Sequence, residues 1–293
     1  MLQRNFGNSS LTVSALGFGA GHIGYDDVSE REAHSLLDRA ADLGVTFIDT
    51  ARGYGLSEER IGSWLPGRRE SVVLSTKVGY DVDGAEDWSA AAVTGGVDEA
   101  LRKLGTDVID VVFLHSCPLA VLQQGDAVEA LQRCVDAGKV RVPGYSGEND
   151  ALAWAGNAAL YGALQSTVNL ADQRSRSDVL PAAGRQGLGV VAKRPHANAP
   201  WRHAERPVGV YGETYWERLR RMDVEPETDD WQGTALRFSA FSPGVSTAIV
   251  GTSQVRNLEA AAAAVGRGPL PDFERRRWED AFAPHAPDWA GEV

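Results

Sequence analysis

Three apolar runs of this 293-residue sequence end on ionisable side chains. Phe47-Ile48 runs into Asp49, Leu74-Ser75-Thr76 into Lys77, and Phe113-Leu114 into His115. A charge at the end of a buried run is costly unless it is partnered, so three such breaks at equivalent places predict partners for one another. Asp49 and Lys77, on neighbouring strands, are spaced for an ion pair. Tyr54 follows Asp49 closely enough to lean back over it. An ammonium beside a phenol favours the ionised oxygen, which suits the phenol to giving up a proton. His115, on the next strand, can hydrogen-bond the same acceptor. Beside a bound hydride donor, such a group converts a carbonyl into an alcohol. Singly, Asp49 reads as a loop cap, Lys77 as a partner for any carboxylate and His115 as structural. The joint pattern carries the chemistry.

These side chains need strands that deliver them to one place. Apolar, β-branched runs at Val45–Ile48, Val72–Leu74, Val108–Leu114, Val140–Val142, Thr167–Leu170, Leu188–Ala192 and Val245–Val250 read as strands, with a shorter one at Leu16–Phe18. Helical spacing fills the intervals. Ser29-Glu30-Arg31-Glu32 reads as a capping box and Gly44 as the matching stop. Further helices are expected from Ser57, over Ala90–Leu104, Ala127–Ala137, Asn149–Ala158, Val179–Gln186, Asp230–Phe241 and Val255–Val265. Strands alternating with helices predict a parallel sheet with both faces covered. Eight such units make a (β/α)8 TIM barrel, a fold of about 250 residues, with functional groups at the C-terminal ends of its strands. The excess length is assigned to an N-terminal hairpin turning at Gly7-Asn8, a mobile loop over Pro195–Pro226 containing a helix at Glu213–Met222, and a C-terminal tail or helix. No linker is visible, so residues 1–293 read as one domain.

Composition narrows the function. With 29 basic and 40 acidic residues the net charge is −11, which argues against nonspecific nucleic-acid binding. No apolar run reaches the roughly 20 residues of a membrane helix and no signal core follows Met1, so no membrane association and a cytoplasmic location are expected. Cys117 and Cys134 are too few for a disulfide scaffold and read as reduced thiols. The histidines include no His-Glu-x-x-His pair, so no metal site is expected. No tyrosine has a lysine four residues later, and Gly-x-Ser-x-Gly is missing, against short-chain dehydrogenase and hydrolase chemistry. Gly19-Ala20-Gly21-His22-Ile23-Gly24 matches a dinucleotide fingerprint, but the helix is set to start only at Ser29. The run therefore reads as a flexible strand-to-helix loop.

The chain resembles the aldo-keto reductase superfamily. The resemblance rests on Leu16-Gly17-Phe18-Gly19, Phe47-Ile48-Asp49-Thr50-Ala51 with Tyr54-Gly55, Ser75-Thr76-Lys77, Phe113-Leu114-His115, Gly144-Tyr145-Ser146, Leu164-Gln165 and Ile249-Val250-Gly251-Thr252-Ser253. It implies NAD(P)H-dependent carbonyl reduction by a tetrad of Asp49, Tyr54, Lys77 and His115, with Tyr54 as proton donor and a small carbonyl compound as substrate. It also implies that Ser146 and Gln165 bond the nicotinamide carboxamide with Asp49 close by, that the backbone of Ala20 and Gly21 touches the cofactor, and that Gly251, Thr252 and Ser253 hold phosphate before a helix N-terminus. Departures are visible. Gly147 stands where the family commonly has Asn. Lys193 replaces a nicotinamide-stacking aromatic, and with Arg194 it is assigned to pyrophosphate. Ala260-Ala261 replaces Glu-Asn at the adenine. Asn257, beside Arg256, stands where some members carry an arginine for the 2′-phosphate. NADPH is expected, with NADH as the alternative. Trp88, Trp201, Tyr211, Trp216 and Trp231 are candidates for the substrate mouth. Competing readings are an NAD-dependent sugar or alcohol dehydrogenase, a nucleotide-binding regulatory subunit with little turnover, and an aldolase using Lys77 as a Schiff-base nucleophile.

Overall fold

The computed structural model describes residues 1–292. An antiparallel hairpin, β1 (Gln3–Asn5) and β2 (Thr12–Ser14), precedes eight parallel strands. These are β3 (Leu16–Gly19), β4 (Phe47–Asp49), β5 (Val73–Val78), β6 (Ile109–His115), β7 (Val140–Ser146), β8 (Ala163–Thr167), β9 (Gly189–Lys193) and β10 (Thr247–Gly251). They pair in chain order, and β10 returns to β3 to close the barrel. Burial of both strand faces explains the nearly unbroken apolar runs. The hairpin plugs the N-terminal end: Phe6, Leu11 and Val13 cluster with inward-facing Phe47, Phe113 and Val191, and Asn8 N–H donates to Gly187 at 2.7 Å. Only the C-terminal end is left open for chemistry.

Helices α1 (Glu30–Asp42), α2 (Ser57–Trp64), α3 (Ala90–Leu104), α4 (Leu119–Gln124), α5 (Asp126–Asp136) and α6 (Asn149–Asn157) surround the first half. The second half carries α7 (Arg174–Asp178), α8 (Leu180–Gln186), α9 (Glu213–Met222), α10 (Trp231–Ala240), α11 (Val255–Gly266) and α12 (Asp272–Phe282). The Ser29 capping box forms in both directions, Glu32 N–H to Ser29 Oγ at 3.3 Å and Ser29 N–H to Glu32 Oε2 at 2.8 Å. Gly105 ends α3 in the left-handed conformation.

Several expectations are corrected. The strand expected at Thr167–Leu170 is β8, and it stops where that run begins. Asn169 breaks the run by turning its side-chain oxygen back onto the Ala171 amide (2.9 Å). The helix expected over Val179–Gln186 is α8, which starts one residue later with Pro181 in its first turn, where a missing amide hydrogen is tolerated; a separate short helix, α7, precedes it. The fingerprint-like run is a wound 3-10 turn over Ala20–Gly24, not a flexible loop. The stretch Pro195–Pro226 is anchored as well. Tyr215, Leu219 and Met222 of α9 pack with Phe238 of α10 and Trp278 and Phe282 of α12 in a second core. Separate apolar positions in each segment combine into that core only in three dimensions. Cys117 and Cys134 are buried free thiols, and burial pushes Cys117 up to about 12, out of reach of ordinary thiolate reactivity. No helix among the described residues is long and apolar enough to cross a membrane.

Candidate active site

Strand register brings the expected side chains to one end of the barrel. Asp49 pairs with Ser75 across β4 and β5, and Lys77 lies two residues further along β5. Lys77 Nζ donates to Asp49 Oδ2 at 2.7 Å and to the Thr50 carbonyl at 2.8 Å, with both side chains about 2 % exposed. The other Asp49 oxygen accepts from Ser75 Oγ at 2.5 Å and Gln165 Nε2 at 3.0 Å. Ser146 Oγ donates to Gln165 Oε1 at 2.8 Å. One hydrogen-bonded chain thus runs from Ser146 through Gln165 and Asp49 to Lys77. Burial by itself lowers the proton affinity of Lys77, but Asp49 and Tyr54 outweigh it and hold the ammonium above its ordinary value.

Tyr54 lies above this pair, its ring centroid 4.9 Å from Lys77 Nζ. The loop that carries it is clamped against the first strand-to-helix turn. Leu56 N–H donates to the Gly24 carbonyl at 3.0 Å, and Tyr54 N–H to the Ala51 carbonyl at 3.0 Å. A β-carbon on Gly24 would overlap the Tyr54 carbonyl oxygen, and the Tyr54 ring passes over Gly21. The glycines that imitate a dinucleotide fingerprint therefore make room for the tyrosine loop.

His115 completes the group, its ring 6.4 Å from that of Tyr54 and perpendicular to it. Burial first, then the charges of Lys77, Lys193 and Arg194, lower its pKa to about 2, so the imidazole is neutral. Tyr80, absent from the sequence-based site, lies 2.7 Å from His115 Nδ1. Burial raises the Tyr80 phenol, keeping its proton in place. A phenol donating to Nδ1 leaves the imidazole hydrogen on Nε2. Trp88 Nε1 donates to the His115 carbonyl at 3.2 Å and forms a layer behind the histidine. Tyr80 follows β5 after a glycine, and nothing in that local pattern distinguishes it from a loop aromatic.

A cavity of about 1330 Å³ opens over these residues. Its lining includes Asp49, Tyr54, Lys77, His115, Gly21, Ser146, Gln165, Lys193, Arg194, Gly251, Thr252, Ser253 and Asn257. Ala20 is fully buried outside that lining, its carbonyl accepting from Ser57 Oγ at 2.9 Å. From the barrel mouth the cavity runs to α11, where Ala260, Ala261 and Ala264 leave a shallow face. No side chain caps the start of α11, so its first amides stay available to an anion. Thr252 Oγ1 shapes the preceding turn by accepting from Gln254 N–H at 3.0 Å and Asn257 Nδ2 at 3.2 Å. Arg256 does not reach the wall; Arg202 and Arg267 do, and both were missed because they belong to segments far away in sequence. Arg267 is paired with Asp230 at 2.5 Å. The elongated shape, the small α11 face and the free amides fit a dinucleotide.

Of the aromatic candidates, only Tyr211 lines this cavity. Trp201 stacks on Trp231 at 5.5 Å, and both border a separate 150 Å³ pocket with Trp216. The change of Asn to Gly147 has a steric cause, because a β-carbon there would overlap the Tyr145 hydroxyl, itself held by the Cys117 carbonyl at 3.1 Å.

Comparison with known proteins matches residues 15–282 to the model of the Aldo/keto reductase family. The fold is similar to that of the aldo-keto reductase AKR11C1 from Bacillus halodurans in its holo form, with a TM-score of 0.83, 28% identity and 96% of each chain covered. An L-galactose dehydrogenase of Arabidopsis thaliana is 27% identical over 89% of this chain and 87% of its own. A protein named "Probable voltage-gated potassium channel subunit beta" from Oryza sativa subsp. japonica is 32% identical over 68% of this chain and 65% of its own.

Proposed function

The chain belongs to the aldo/keto reductase family, and we propose that it reduces a small aldehyde or ketone to an alcohol with NADPH as hydride source and Tyr54 as proton donor. The observation that carries this reading is the buried Lys77, paired with Asp49 and lying 4.9 Å from the Tyr54 ring at the floor of an open cavity. When bound, the nicotinamide supplies a hydride to the carbonyl carbon. Tyr54 donates its proton to the carbonyl oxygen, and the Lys77 charge stabilises the oxygen left on the tyrosine. Asp49 keeps that lysine charged despite burial. His115, neutral and carrying its hydrogen on Nε2, donates to the same carbonyl oxygen and fixes its direction. Ser146 and Gln165 are the amide-binding pair for the nicotinamide, while Gly21, Gly251, Thr252, Ser253 and Asn257 serve the rest of the dinucleotide. Arg202, which lines the cavity without an ion-pair partner among the described residues, favours a 2′-phosphate, hence NADPH over NADH. A cytoplasmic setting, in which Cys117 and Cys134 remain reduced thiols, completes the reading.

The test is fluorescence titration with NADPH and NADH, followed by NADPH consumption over a panel of aldehydes and ketones. Carbonyl-dependent consumption supports the reading, and its absence from the whole panel contradicts it. The Arabidopsis relative's name favours a second reading, sugar oxidation, whose NAD-dependent form the same titration separates from NADPH-dependent reduction. The rice relative's name favours a third, a nucleotide-binding regulatory subunit, expected to bind NADPH without steady-state consumption.

A further inference from the structure

Lys193 ends β9 and Arg194 opens the loop after it, and both line the cavity. Register sets their height. Gln165 pairs with Val191 and Thr167 with Lys193, so the two cations stand one step above the Gln165–Asp49 hydrogen bond. Arg194 makes no ion pair among the described residues. Its Nη1 donates to Thr167 Oγ1 at 3.4 Å and to the Glu292 carbonyl, and its guanidinium lies 5.2 Å from the centre of the Tyr211 ring. Its backbone is left-handed, with φ of 52°, a conformation that disfavours a long side chain and that concentrates at functional sites. The nearby carboxylates stand behind the wall. Glu148 accepts from Lys193 at 3.2 Å and from the Thr167 amide at 2.8 Å, while Arg218 lies 3.6 Å from Asp172 and 3.4 Å from Glu292. None of the three acids lines the cavity. The acids that do line the cavity are each paired, Asp49 with Lys77 and Asp230 with Arg267, so in a chain of net charge −11 the Arg194 guanidinium adds positive charge to the wall that no lining carboxylate takes up. Free amides for the cofactor's phosphates lie elsewhere, at the start of α11. Both cations also act on the His115 imidazole, after burial and Lys77, so their field reaches the reacting end.

We propose that the carbonyl substrates of this cavity carry a carboxylate, which the Arg194 guanidinium receives with Lys193 beside it. The proposal rests on reading the cavity as a carbonyl-reducing site and names the substrate class. A planar guanidinium meets a carboxylate with two parallel N–H···O bonds, a geometry that a neutral sugar or alkyl aldehyde does not offer.

The test compares kcat/KM for 4-carboxybenzaldehyde and benzaldehyde, and for succinic semialdehyde and butanal, with NADPH saturating. The acid is expected to be preferred by about 30-fold, and Arg194→Met to bring the ratio to about one. Arg194→Lys and Lys193→Met are expected to give intermediate ratios, and being ratios they discount any general loss of folded enzyme. A wild-type ratio near one would overturn the proposal. So would a ratio unchanged in Arg194→Met alongside a raised dissociation constant for NADPH, which would assign the guanidinium to pyrophosphate. A larger preference for glyceraldehyde 3-phosphate over glyceraldehyde than for either carboxylate would overturn it in favour of phosphate esters. Calorimetric binding of benzoate and benzamide to the NADP-loaded protein reads the site without turnover. Tighter benzoate binding that is lost in Arg194→Met supports the proposal even if no carbonyl on the panel is reduced, whereas equal binding contradicts it.

Discussion

Replacing Asp49 by Asn tests the buried ion pair that the whole site is built on. The two side chains are nearly isosteric, so packing is conserved while one charge is removed. In the native protein the carboxylate accepts from Ser75 Oγ at 2.5 Å, Lys77 Nζ at 2.7 Å and Gln165 Nε2 at 3.0 Å. An amide at that place offers one acceptor oxygen and turns its own N–H groups towards a donor. Lys77 then keeps the Thr50 carbonyl at 2.8 Å and at most one neutral amide oxygen in place of the carboxylate. Stripping one partner from a buried pair costs about 3–5 kcal/mol when the remaining group stays charged. Lys77 has an escape, because it can shed its proton. From an ordinary lysine value of about 10.4 that costs about 4.6 kcal/mol at pH 7, and less in a buried site, so the loss is limited to about 3–4 kcal/mol. For a chain of this size that is a fall of about 5–7 °C in Tm. The assay is thermal unfolding of the wild type, Asp49→Asn, Lys77→Met and the double variant. The double variant removes both charges and is expected to recover at least about 1 kcal/mol relative to the sum of the singles. The sign in pH follows from the raised Lys77 value: the contribution is complete below the unfolded lysine pKa and is lost as pH rises through the folded one, so it persists through neutral pH. Additive singles, or an Asp49→Asn protein as stable as the wild type, would refute the reasoning.

Other perturbations follow from the same geometry. Tyr80→Phe removes the partner 2.7 Å from His115 Nδ1. It should lower kcat about 10-fold, with nitrogen NMR of His115 shifting from the Nε2–H tautomer towards a mixture; an unchanged tautomer would show that Tyr80 does not set it. Gly24→Ala should lower both stability and carbonyl reduction, because the added carbon overlaps the Tyr54 carbonyl; a crystal structure with Tyr54 undisplaced would contradict the clamp. Protonation predicts the acid limb of stability. His115 and His196 are held by burial at about 2 and about 4, below their ordinary 6.5, so each loses stability as pH falls below 6.5. Burial raises Asp172 to about 7 from 3.8, so it gains stability over the same interval and offsets one histidine. Denaturant titrations should therefore lose about 1 kcal/mol per pH unit between about pH 6 and 5, and Asp172→Asn should roughly double that slope. An unaltered slope would remove Asp172 from the balance.

Much of this architecture was legible because it is written locally. Apolar runs marked the strands, the Ser29 box and Gly105 marked helix ends, and the breaks at Asp49, Lys77 and His115 marked the open end of the barrel. Those three side chains and Tyr54 do converge on one cavity. What escaped was non-local. Tyr80 reaches His115 only because β5 and β6 are neighbours. Arg202 and Arg267 reach the wall from segments that are ordinary by themselves. The second core under Pro195–Pro226 joins α9, α10 and α12, each supplying a few apolar residues that look like isolated positions in a polar stretch. The apolar residues of Thr167–Leu170 suggest a strand by themselves, but Asn169 turns the chain there and β8 lies just before it.

A single-turnover comparison of wild type and Tyr54→Phe tests the proton-donor claim most directly. NADPH-loaded protein is mixed with an aldehyde, nucleotide absorbance is followed, and NADPH affinity is measured separately by fluorescence. The phenol is assigned the proton and Lys77 only its support, so hydride transfer should slow by about 10³-fold while the NADPH dissociation constant stays within about threefold. Transfer at a near-normal rate in Tyr54→Phe would mean that another group protonates the carbonyl oxygen, and the assignment of Tyr54 would fall.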